Sequence, residues 1–393
     1  MSSTCDGTAP YCVNSACAEA CAADADCPGF SQPSDARYCV GGSCTECRSG
    51  MNDCTPDRPV CDTGTCRGCA VDSECASTVC DVDTGRCVPA EQIRYAQSDG
   101  LDSADCSQLT PCSAAKSLAT VDATHTWVRF VPGTYSATLT VASGCTIVGT
   151  GADLGMHGLT AQGGAVVRVR GLSAFDYVCT DASLDLAALA AGNIAAEPGC
   201  QLRVEETAVG PGQLYVSDST SVTVDRSNIS AIDLNPVGTA PISIIATSSI
   251  FRQALLSNGT VSSASIVFAF NTFYFPGGQA VACGADSITP PGILFVDNIF
   301  YSVGVGSGNS VQTAGANCNF DTNVIFPQSL VIGTNNILAD PLFADAAHAD
   351  LHLTNGSPAV DAAKTTANDP TADLDGTRRP QRVRLDIGAY ELP

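Results

Sequence analysis

A short pattern that returns at intervals of 21 to 27 residues constrains the fold of this chain more than any other feature. Each copy is a run rich in Val, Ile, Phe and Thr that ends in Asn or Ser. The copies align on Asn228, Ser249, Asn271, Asn298 and Asn323. A repeat of this length cannot bury its own apolar face, so it must stack on its neighbours. The pattern therefore predicts a solenoid.

The residue types in the repeat favour strands over helices. Leucine is sparse, which argues against a leucine-rich horseshoe, whereas β-branched residues dominate as strands require. Strands of successive coils lie about 4.8 Å apart, so equivalent side chains form ladders. We expect the five aligned polar residues to form one structural ladder that satisfies backbone groups. The predicted fold class is all-β, a right-handed parallel β-helix with a small disulfide-rich N-terminal module.

The alignment extends one coil towards the N-terminus and places Thr207 at the ladder position. Glu205 then lies directly beneath Arg226, one rung away. We expect a stacked, partly exposed ion pair between them, which contributes at most about 1 kcal/mol.

The first ninety residues contain a second repeat, which is built on cysteine. They hold fifteen of the 22 cysteines but few large apolar residues, so crosslinks must replace a core. The three full units are Cys21, Cys27, Cys39, Cys44; Cys47, Cys54, Cys61, Cys66; and Cys69, Cys75, Cys80, Cys87. Cys5, Cys12 and Cys17 match the end of a fourth unit, whose first cysteine we expect before Met1. The sequence predicts a disulfide module over residues 1–90.

Metal binding is the alternative for this module. The Cys44–Cys47 and Cys66–Cys69 steps have CxxC spacing, but the segment contains no histidine and the steps fall at unit junctions, so disulfides are favoured over zinc. Asp81 and Asp83 resemble the start of a calcium loop without its downstream acidic ligand, so a solvated turn is favoured over a calcium site.

Composition excludes some partners and indicates a compartment. Forty acidic and eighteen basic residues give a net charge of −22, without a basic patch for nucleic acid or anionic membrane. The cysteine content indicates an oxidising compartment. We expect an extracellular or cell-surface protein with no membrane-spanning segment, whose secretion signal precedes Met1.

Residues 91–334 are assigned to the β-helix and its N-terminal cap. Tyr95 to Gly100, Pro111 to Leu118 and Val128 to Tyr135 are followed by Cys145 to Gly149. This succession resembles the opening of many bacterial right-handed parallel β-helix proteins. The resemblance implies a first strand and a short helix that cap the open end, and the helix is predicted over Ser113 to Val121. We expect Cys106 to pair with Cys112, and Cys179 with Cys200, while Cys145, Cys283 and Cys318 stay unassigned.

Residues 335–393 carry the most specific motifs. They include Asp340-Pro341, Asp350-Leu-His352-Leu, Gly356-Ser-Pro, Asp373-Leu-Asp375-Gly376, Arg378-Arg-Pro380 and Asp386-Ile-Gly388-Ala-Tyr390. This series closely resembles the C-terminal end of β-helix proteins with a choice-of-anchor Q domain. The resemblance implies a tail that covers the last coil.

Two metal hypotheses concern this tail. His348 and His352 are four residues apart, but the resemblance places His352 in a strand, where the two would not share a site. Asp373, Asp375 and Asp386 are candidate calcium ligands, with an Asp-Gly turn braced by Arg378 or Arg379 as the favoured alternative. We therefore expect no cofactor, with calcium at Asp81 and Asp83 or at Asp373 and Asp375 left open.

Catalysis has weak support in the sequence. Polysaccharide lyases and hydrolases occur on β-helices, but fold alone does not establish function. The coils hold no lysine, and Gly155-Met-His157-Gly158 departs from the turn of pectin hydrolases. The candidate catalytic set is Arg203, Glu205, Asp225 and Arg226. If these side chains point outward into a groove, an enzyme is favoured. If they form only a flat ladder of ion pairs, catalysis loses its support.

The favoured function is non-catalytic recognition or adhesion, with a polysaccharide or a cell-surface protein as partner. The first alternative is a carbohydrate-active enzyme, either a lyase or a hydrolase. The second is a structural surface or fibre component. An aromatic stripe of Tyr215, Tyr274 and Tyr301 is a candidate glycan contact, with packing as the competing role.

Overall fold

The computed structural model describes two compact units, Met1–Ile93 and Arg94–Pro393. The described residues are 11–13, 16–18, 20–24, 27, 37–51, 53–234, 240–256, 264–275, 281–283, 292–302, 311–313, 318–327 and 333–393. Cys5 lies outside these residues, and the side chains of Cys12, Cys17 and Cys283 are not described.

The N-terminal unit repeats one hairpin. Its strands are β1 Tyr11–Val13, β2 Ala16–Ala18, β3 Tyr38–Val40, β4 Ser43–Thr45, β5 Val60–Asp62, β6 Thr65–Arg67, β7 Cys80–Asp81 and β8 Arg86–Cys87. The two strands of each hairpin pair antiparallel and place two cysteines opposite each other, as with Cys39 and Cys44. Because β1 and β2 place Cys12 opposite Cys17, the partial first unit has the same backbone register.

Disulfides join each hairpin to the loop before it. In every full unit the first cysteine bonds to the third and the second to the fourth. The bonds are Cys21–Cys39, Cys27–Cys44, Cys47–Cys61, Cys54–Cys66, Cys69–Cys80 and Cys75–Cys87. Buried cysteines therefore provide much of the core in this unit, as expected for a segment with few large apolar side chains.

The second unit is a parallel β-helix with two main sheets. Sheet 1 contains β10 Trp127–Phe130, β11 Gly133–Thr134, β13 Cys145–Asp153, the first part of β15 Val166–Thr180, β16 Ser183–Ala187, β18 Gln201–Glu205, β21 Ser221–Asp225, β23 Ile242–Thr247, β25 Ala264–Ala269, β28 Ile293–Val296, β31 Cys318–Asp321 and β33 Gly333–Thr334. Each strand pairs in parallel with the equivalent strand of the next coil, which confirms the predicted architecture.

In each coil, the chain leaves a strand of sheet 1, passes through a turn and enters sheet 2. It contains β12 Leu139–Val141, β14 Gly158–Gln162, the second part of β15, β17 Ala190–Ala196, β19 Ala208–Val209, β20 Leu214–Val216, β22 Asn228–Leu234, β24 Ile250–Leu256, β26 Thr272–Tyr274, β27 Val281–Cys283, β29 Ile299–Tyr301, β30 Val311–Thr313 and β32 Val324–Phe326. These strands also pair in parallel from coil to coil.

Phenylalanine columns fill the inside of the C-terminal coils. On sheet 1, Phe268 stacks on Phe295 with ring centroids 5.1 Å apart, and Phe295 stacks on Phe320 at 4.8 Å. On sheet 2, Phe273 stacks on Phe300 at 4.9 Å. The two columns meet edge to face inside the helix. Such ring pairs stabilise the core by about 0.5–1.5 kcal/mol each beyond the area that they bury.

A polar ladder runs along the turn between the two sheets. Its members are Thr207, Ser227, Ser249, Asn271, Asn298, Asn323 and Asn336. Each backbone N–H donates to the side-chain oxygen of the next member, for example from Ser249 N to Asn271 Oδ1 at 3.0 Å. The asparagine amides also donate to backbone carbonyls, so the buried turn leaves few of these polar groups unpaired.

The placement of Asn228 in this ladder was wrong by one residue. Arg226 takes the left-handed conformation with φ 42°, and Ser227 then points inward and bonds to Ser249. Asn228 is the first residue of β22, pairs with Ile250 and is exposed. The alignment failed because both Ser227 and Asn228 suit a turn, and only the backbone register distinguishes them.

A short helix lies at the N-terminal end of the β-helix. Strand β9, Ile93–Ala96, precedes it, and helix α1 spans Ala114–Ala119 within the predicted stretch. Ser113 caps α1 because its hydroxyl accepts a hydrogen bond from Lys116 N. Leu118 of α1 packs into the main core. The part of the chain that the structure describes contains no helix with the length and hydropathy that a membrane crossing requires.

The β-helix unit has its own disulfides. Cys106 bonds to Cys112, and Cys179 bonds to Cys200 of the next coil. Cys318 is also disulfide-bonded. Cys145 is a buried free thiol, and burial raises its pKa to about 12.

The closing region, residues 335–393, has little regular structure. It contains β34 Phe343–Asp345, paired antiparallel with β35 Asp350–Leu353, and a 3₁₀ turn at Ala346–His348 between them. In the N-terminal unit, 3₁₀ turns span Asp72–Glu74 and Ala90–Gln92.

The closing region covers more than the last coil. It follows the turn edge of several coils: Ser248 donates to Ala372 O, Ala389 N donates to Thr272 Oγ1, and Gly388 N donates to Asp297 O. A Cβ on Gly388 would lie 2.6 Å from Cδ1 of Ile299, so only glycine permits this approach.

The proposed tyrosine stripe is not an exposed surface. Tyr274 and Tyr301 stack on each other and are only 4% and 8% exposed. Phe343 of the closing region packs against Tyr301, and the Tyr274 hydroxyl donates to Ala346 O. Packing therefore explains both tyrosines, while Tyr215 is half-buried on β20.

Candidate functional site

A groove lies between sheet 1 and one segment of the closing region. Its volume is about 330 Å³. The lining residues are Arg203, Thr223, Asp225, Arg226, Ile245, Thr247, Asn368, Asp369, Pro370, Thr371 and Ala372. We call this feature the groove, and residues 368–372 its wall.

The strand period explains why these side chains face the groove. In β18, β21 and β23, alternate residues point into the core, as Val204, Val224 and Ala246 do. The residues between them face outward. Arg203, Thr223 and Ile245 occupy equivalent positions of successive strands, so they form one outward row.

The candidate catalytic residues form a connected ion-pair network at this groove: Arg203, Asp225 and Arg226 line it, and Glu205 bonds to both arginines. Glu205 accepts from Arg203 Nη2 at 2.6 Å and from Arg226 Nη2 at 2.5 Å. Arg226 also donates to Glu206 and to Asp225, both at 2.9 Å. Thr247 donates to the other oxygen of Asp225 at 2.8 Å. The structure thus brings together all four residues and adds Glu206 and Thr247.

The register of the network differs from the expected one. Glu205 pairs with Asp225 across the strands, and Arg226 lies in the turn after β21. The long arginine side chain still reaches Glu205 in the preceding coil. The ion pair therefore exists although Glu205 does not lie directly beneath Arg226.

Both guanidinium groups stay charged in this environment. Partial burial acts to lower the pKa of Arg226, but the hydrogen bond to Glu206 and the charge of Asp225 outweigh it and raise the pKa. For Arg203, partial burial is likewise outweighed by the hydrogen bond and charge of Glu205. A general base must lose its proton near the working pH. The raised pKa values therefore make these arginines unsuited to that role.

Arg203 is the more accessible of the two arginines. Its side chain is 55% exposed, against 18% for Arg226. Among the described residues, its hydrogen bonds use only Nη2. Nε and Nη1 are thus available to a ligand in the groove.

The wall is held by hydrogen bonds on both sides. Ser248 donates to Ala372 O at 2.9 Å. Asp369 Oδ1 accepts from the backbone N–H and the hydroxyl of Thr366. These bonds place the wall opposite Ile245, an apolar side chain that is 38% exposed.

A second hollow lies at the other end of the same strands. Its volume is about 400 Å³, and its lining includes Gln201, Ser221, Ser243 and Ser265 with the neighbouring turns. We call it the serine hollow. It is larger than the groove, but its lining has no charged group. The groove is the stronger candidate because charged, hydroxyl and apolar groups converge there.

The calcium candidates take part in turns. Asp81 accepts from Asp83 N and from the hydroxyl of Thr84. Asp373 Oδ1 accepts from the N–H groups of Asp375 and Thr377. These contacts match the turn alternative at both positions, and calcium binding there stays a hypothesis.

Arg379 and Asp386 lie in the interior of the closing region. Arg379 donates to the carbonyls of Asp386 and Gly388, and it lies 3.5 Å from Glu391. Asp386 accepts from the backbone N–H groups of Asp361 and Leu392. Arg379 therefore braces the segment around residues 386–391, whereas the Asp375-Gly376 turn is held by the side chain of Asp373.

The two histidines of the closing region bind different carboxylates. His348 Nδ1 lies 2.8 Å from Asp345. His352 lies in β35, and its two ring nitrogens lie 2.6 Å from Asp350 and 2.7 Å from Asp375. Its ring also packs against Tyr390. The two residues therefore do not form a common site in this structure.

Closely spaced sulfurs in the N-terminal unit are explained by disulfides. The groups Cys21, Cys27, Cys44 and Cys47, Cys54, Cys61 and Cys69, Cys75, Cys87 each bring sulfur atoms within 4.8 Å. All of these sulfurs are already in disulfide bonds. Zinc binds the thiolate form of cysteine, so the oxidised unit does not offer these ligands.

Sequence reasoning missed the wall of the groove. Residues 368–372 are more than 120 positions from the strands that they face, and no periodic signal links the two. Ile245 gives no usable signal either, because single apolar residues on the outer face of a strand are common.

Comparisons with known proteins add a fold likeness. No protein-family model matches the chain, and no curated protein sequence matches it either. Among solved structures, the chain is similar to one described as "Crystal structure of pectate lyase Pel9A", with a TM-score of 0.43 and 12% sequence identity. The alignment covers 77% of this chain and 97% of that chain. At this identity the likeness carries no conclusion about activity.

Proposed function

We propose that this protein is a secreted or cell-surface recognition module that binds a polysaccharide in the groove and does not cleave it. The observation that carries the proposal is the ion-pair network. Asp225 and Glu205 are engaged by Arg226, Arg203 and Thr247, and they stabilise charged guanidinium groups. Carboxylates used in this way hold the surface in shape and are poorly placed to transfer protons.

The chemistry of the groove favours a neutral polysaccharide over an acidic one. Arg203 and Arg226 are outnumbered by the carboxylates of Glu205, Glu206, Asp225 and Asp369 around them. The whole chain also carries a charge of −22, which repels polyanions. A neutral sugar offers hydroxyl groups to Arg203 and Asn368 and an apolar C–H face to Ile245.

Extracellular placement is supported by the disulfides. Paired cysteines are typical of proteins that leave the reducing cytosol. The assignment of residues 335–393 to the choice-of-anchor Q type is part of this proposal. Its support is the resemblance of the motifs and the way in which the region covers the coils.

An enzyme is the second candidate function. It is favoured by the position of Arg203, Asp225 and Arg226 in the groove, since their outward direction is what catalysis would require. A retaining or inverting glycosidase needs two carboxyl groups in acid and base roles. A structural fibre role has less support because Gly333, Thr334 and Ile337 pair with strands β31 and β32, whose edges an end-to-end assembly would use.

The experiment is a binding measurement on a panel of neutral and uronic-acid polysaccharides. We expect binding to a neutral polysaccharide, and at least a tenfold weaker affinity in Arg203→Gln. Arg168→Gln is the matched control, because Arg168 is also an exposed arginine of sheet 1 but does not line the groove. Equal weakening in both variants, or no binding to any polysaccharide, would contradict the proposal.

A further inference from the structure

Asp297 is a carboxylic acid at the contact between the coils and the closing region. It lies in the turn after β28 and is 0% exposed. Its Oδ1 accepts from Lys364 N at 2.8 Å, and its backbone carbonyl accepts from Gly388 N at 2.9 Å. Two separate segments of the closing region are therefore attached to this one residue.

The second carboxyl oxygen of Asp297 is buried without a partner. Oδ2 has no hydrogen bond among the described residues. A buried oxygen of this kind is tolerated in the neutral acid but is costly once it carries charge. The site therefore discriminates between the two protonation states of Asp297.

The charged groups around Asp297 come from each element packed against it. The next coil contributes Asp321, and the closing region contributes Lys364 and Asp369. Lys364 Nζ is already paired with Asp321 at 2.7 Å, so it compensates that carboxylate first. The nearby charge of Asp369 opposes ionisation of Asp297.

One short segment connects this acid to the groove. Residue 364 bonds to Asp297, and residues 368–372 form the wall of the groove. Asp369 takes part in both features: it lines the groove, and its negative charge raises the pKa of Asp297. The segment 364–372 therefore contacts Asp297 at its start and lines the groove at its end.

We propose that residues 364–372 form a pH-responsive segment, which holds the wall of the groove closed while Asp297 is protonated and loosens it when Asp297 ionises. Loss of the proton places an uncompensated charge beneath the segment and next to Asp369. The segment then moves outward to admit water, and the groove widens. The loosening itself does not depend on the proposed ligand; only its effect on affinity rests on the proposed function.

The pH window follows from the direction of the pKa change. Burial is the main cause that raises the pKa of Asp297 to about 7, and the charges of Asp369 and Asp321 add to it. The unfolded value is about 4. Because the folded value is higher, the stabilisation is complete below about pH 4, decreases as the pH rises, and is lost above about pH 7.

The test is hydrogen exchange of the peptide that spans residues 364–372, measured between pH 5 and pH 8 and corrected for intrinsic exchange rates. In the wild type, we expect protection to fall by up to about tenfold per pH unit and to level off above about pH 7. Asp297→Asn keeps an acceptor for Lys364 N and cannot ionise, so its protection should not change with pH. Strand β17 serves as an internal control with constant protection.

A second variant makes the test specific. Asp369→Asn keeps the acceptor for Thr366 but removes the charge, so the midpoint of the transition should move to lower pH. Equal pH dependence in the wild type and Asp297→Asn would overturn the proposal. An unchanged midpoint in Asp369→Asn would overturn the role assigned to the neighbouring charge. If the exchange results are as expected but no polysaccharide binds, the proposed function fails and the pH response of segment 364–372 still stands.

Discussion

The backbone N–H of Asn271 donates to Oδ1 of Asn298 at 2.9 Å, although 27 residues separate the two in the sequence. The side chain of Asn298 also donates to the carbonyls of Phe268 and Val296. One amide therefore satisfies backbone groups of two coils at once. This relationship repeats along the turn and fixes how each coil stacks on the next.

Replacing Asn298 should expose the energetic weight of the ladder. Asn298→Ala removes one acceptor and two donors in a fully buried turn, and we expect a loss of about 3 kcal/mol or more. Asn298→Ser should lower the free energy of unfolding by less. Ser249, the ladder member one coil before Asn271, performs the same role with a hydroxyl. The measurement is urea unfolding of each variant. Equal stability of the wild type and Asn298→Ala would contradict the role of the ladder.

Gly388→Ala should detach the tail from the coils. The new Cβ would lie 2.6 Å from Ile299, and the residue has φ 102°, where a side chain is strained. We expect a loss of about 2 kcal/mol or more in the closing region, visible as faster hydrogen exchange there. Gly376→Ala is the matched control, since φ is 81° but nothing lies within 4 Å of its Cβ. A larger effect at Gly376 would show that strain, and not close approach, limits this region.

His352 should make the β34–β35 hairpin sensitive to pH. Partial burial acts to lower its pKa, but the hydrogen bonds to Asp375 and Asp350 outweigh it and raise the pKa. Because the folded value is raised, the stabilisation is complete below about pH 6.5 and is lost as the pH rises through the folded pKa. Protection of the hairpin from hydrogen exchange, corrected for intrinsic exchange rates, should therefore fall above neutral pH.

Variants at the two histidines check this assignment. His352→Gln should remove the pH dependence of the hairpin, because glutamine does not titrate. His348→Gln should leave it in place, since His348 is 84% exposed and contacts Asp345 instead. A loss of pH dependence in His348→Gln alone would refute the assignment to His352.

Reduction should unfold the N-terminal unit before it unfolds the β-helix unit. The N-terminal unit depends on closely spaced disulfides, each of which contributes about 2–4 kcal/mol. The β-helix is stabilised mainly by a continuous apolar core, and we expect it to stay folded when the disulfides are reduced. Under mild reductant we expect proteolysis within residues 37–93 while the sheets of the β-helix stay protected. Loss of both units at the same reductant concentration would contradict this division.

The repeats made most of the architecture predictable. Apolar runs that recur with polar residues such as Asn271 and Asn298 specify stacking, and regular cysteine spacing specifies a crosslinked module. Local ambiguity remained where neighbours suit the same turn, so Asn228 was placed where Ser227 lies. Backbone register decides such cases, and the sequence does not display it.

The candidate site was predictable only in part. The repeat predicted that the candidate residues lie close together, because they belong to two successive coils: Arg203 and Glu205 to one, Asp225 and Arg226 to the next. The wall of the groove comes from the closing region, whose path over the coils depends on contacts such as Gly388 with Asp297. Long-range packing of an irregular segment leaves no periodic trace. Likewise, nothing in the sequence revealed that closing-region residues would cover Tyr301.

The central claim is that the groove binds a polysaccharide and leaves it intact. The most direct measurement incubates the protein with each polysaccharide that it binds and assays the products for new reducing ends and unsaturated sugars. We predict saturable binding that Arg203→Gln weakens, with no product above the level of a protein-free control. Release of either product by the wild type, and its loss in a variant of Glu205 or Asp225, would contradict the account and identify a carbohydrate-active enzyme.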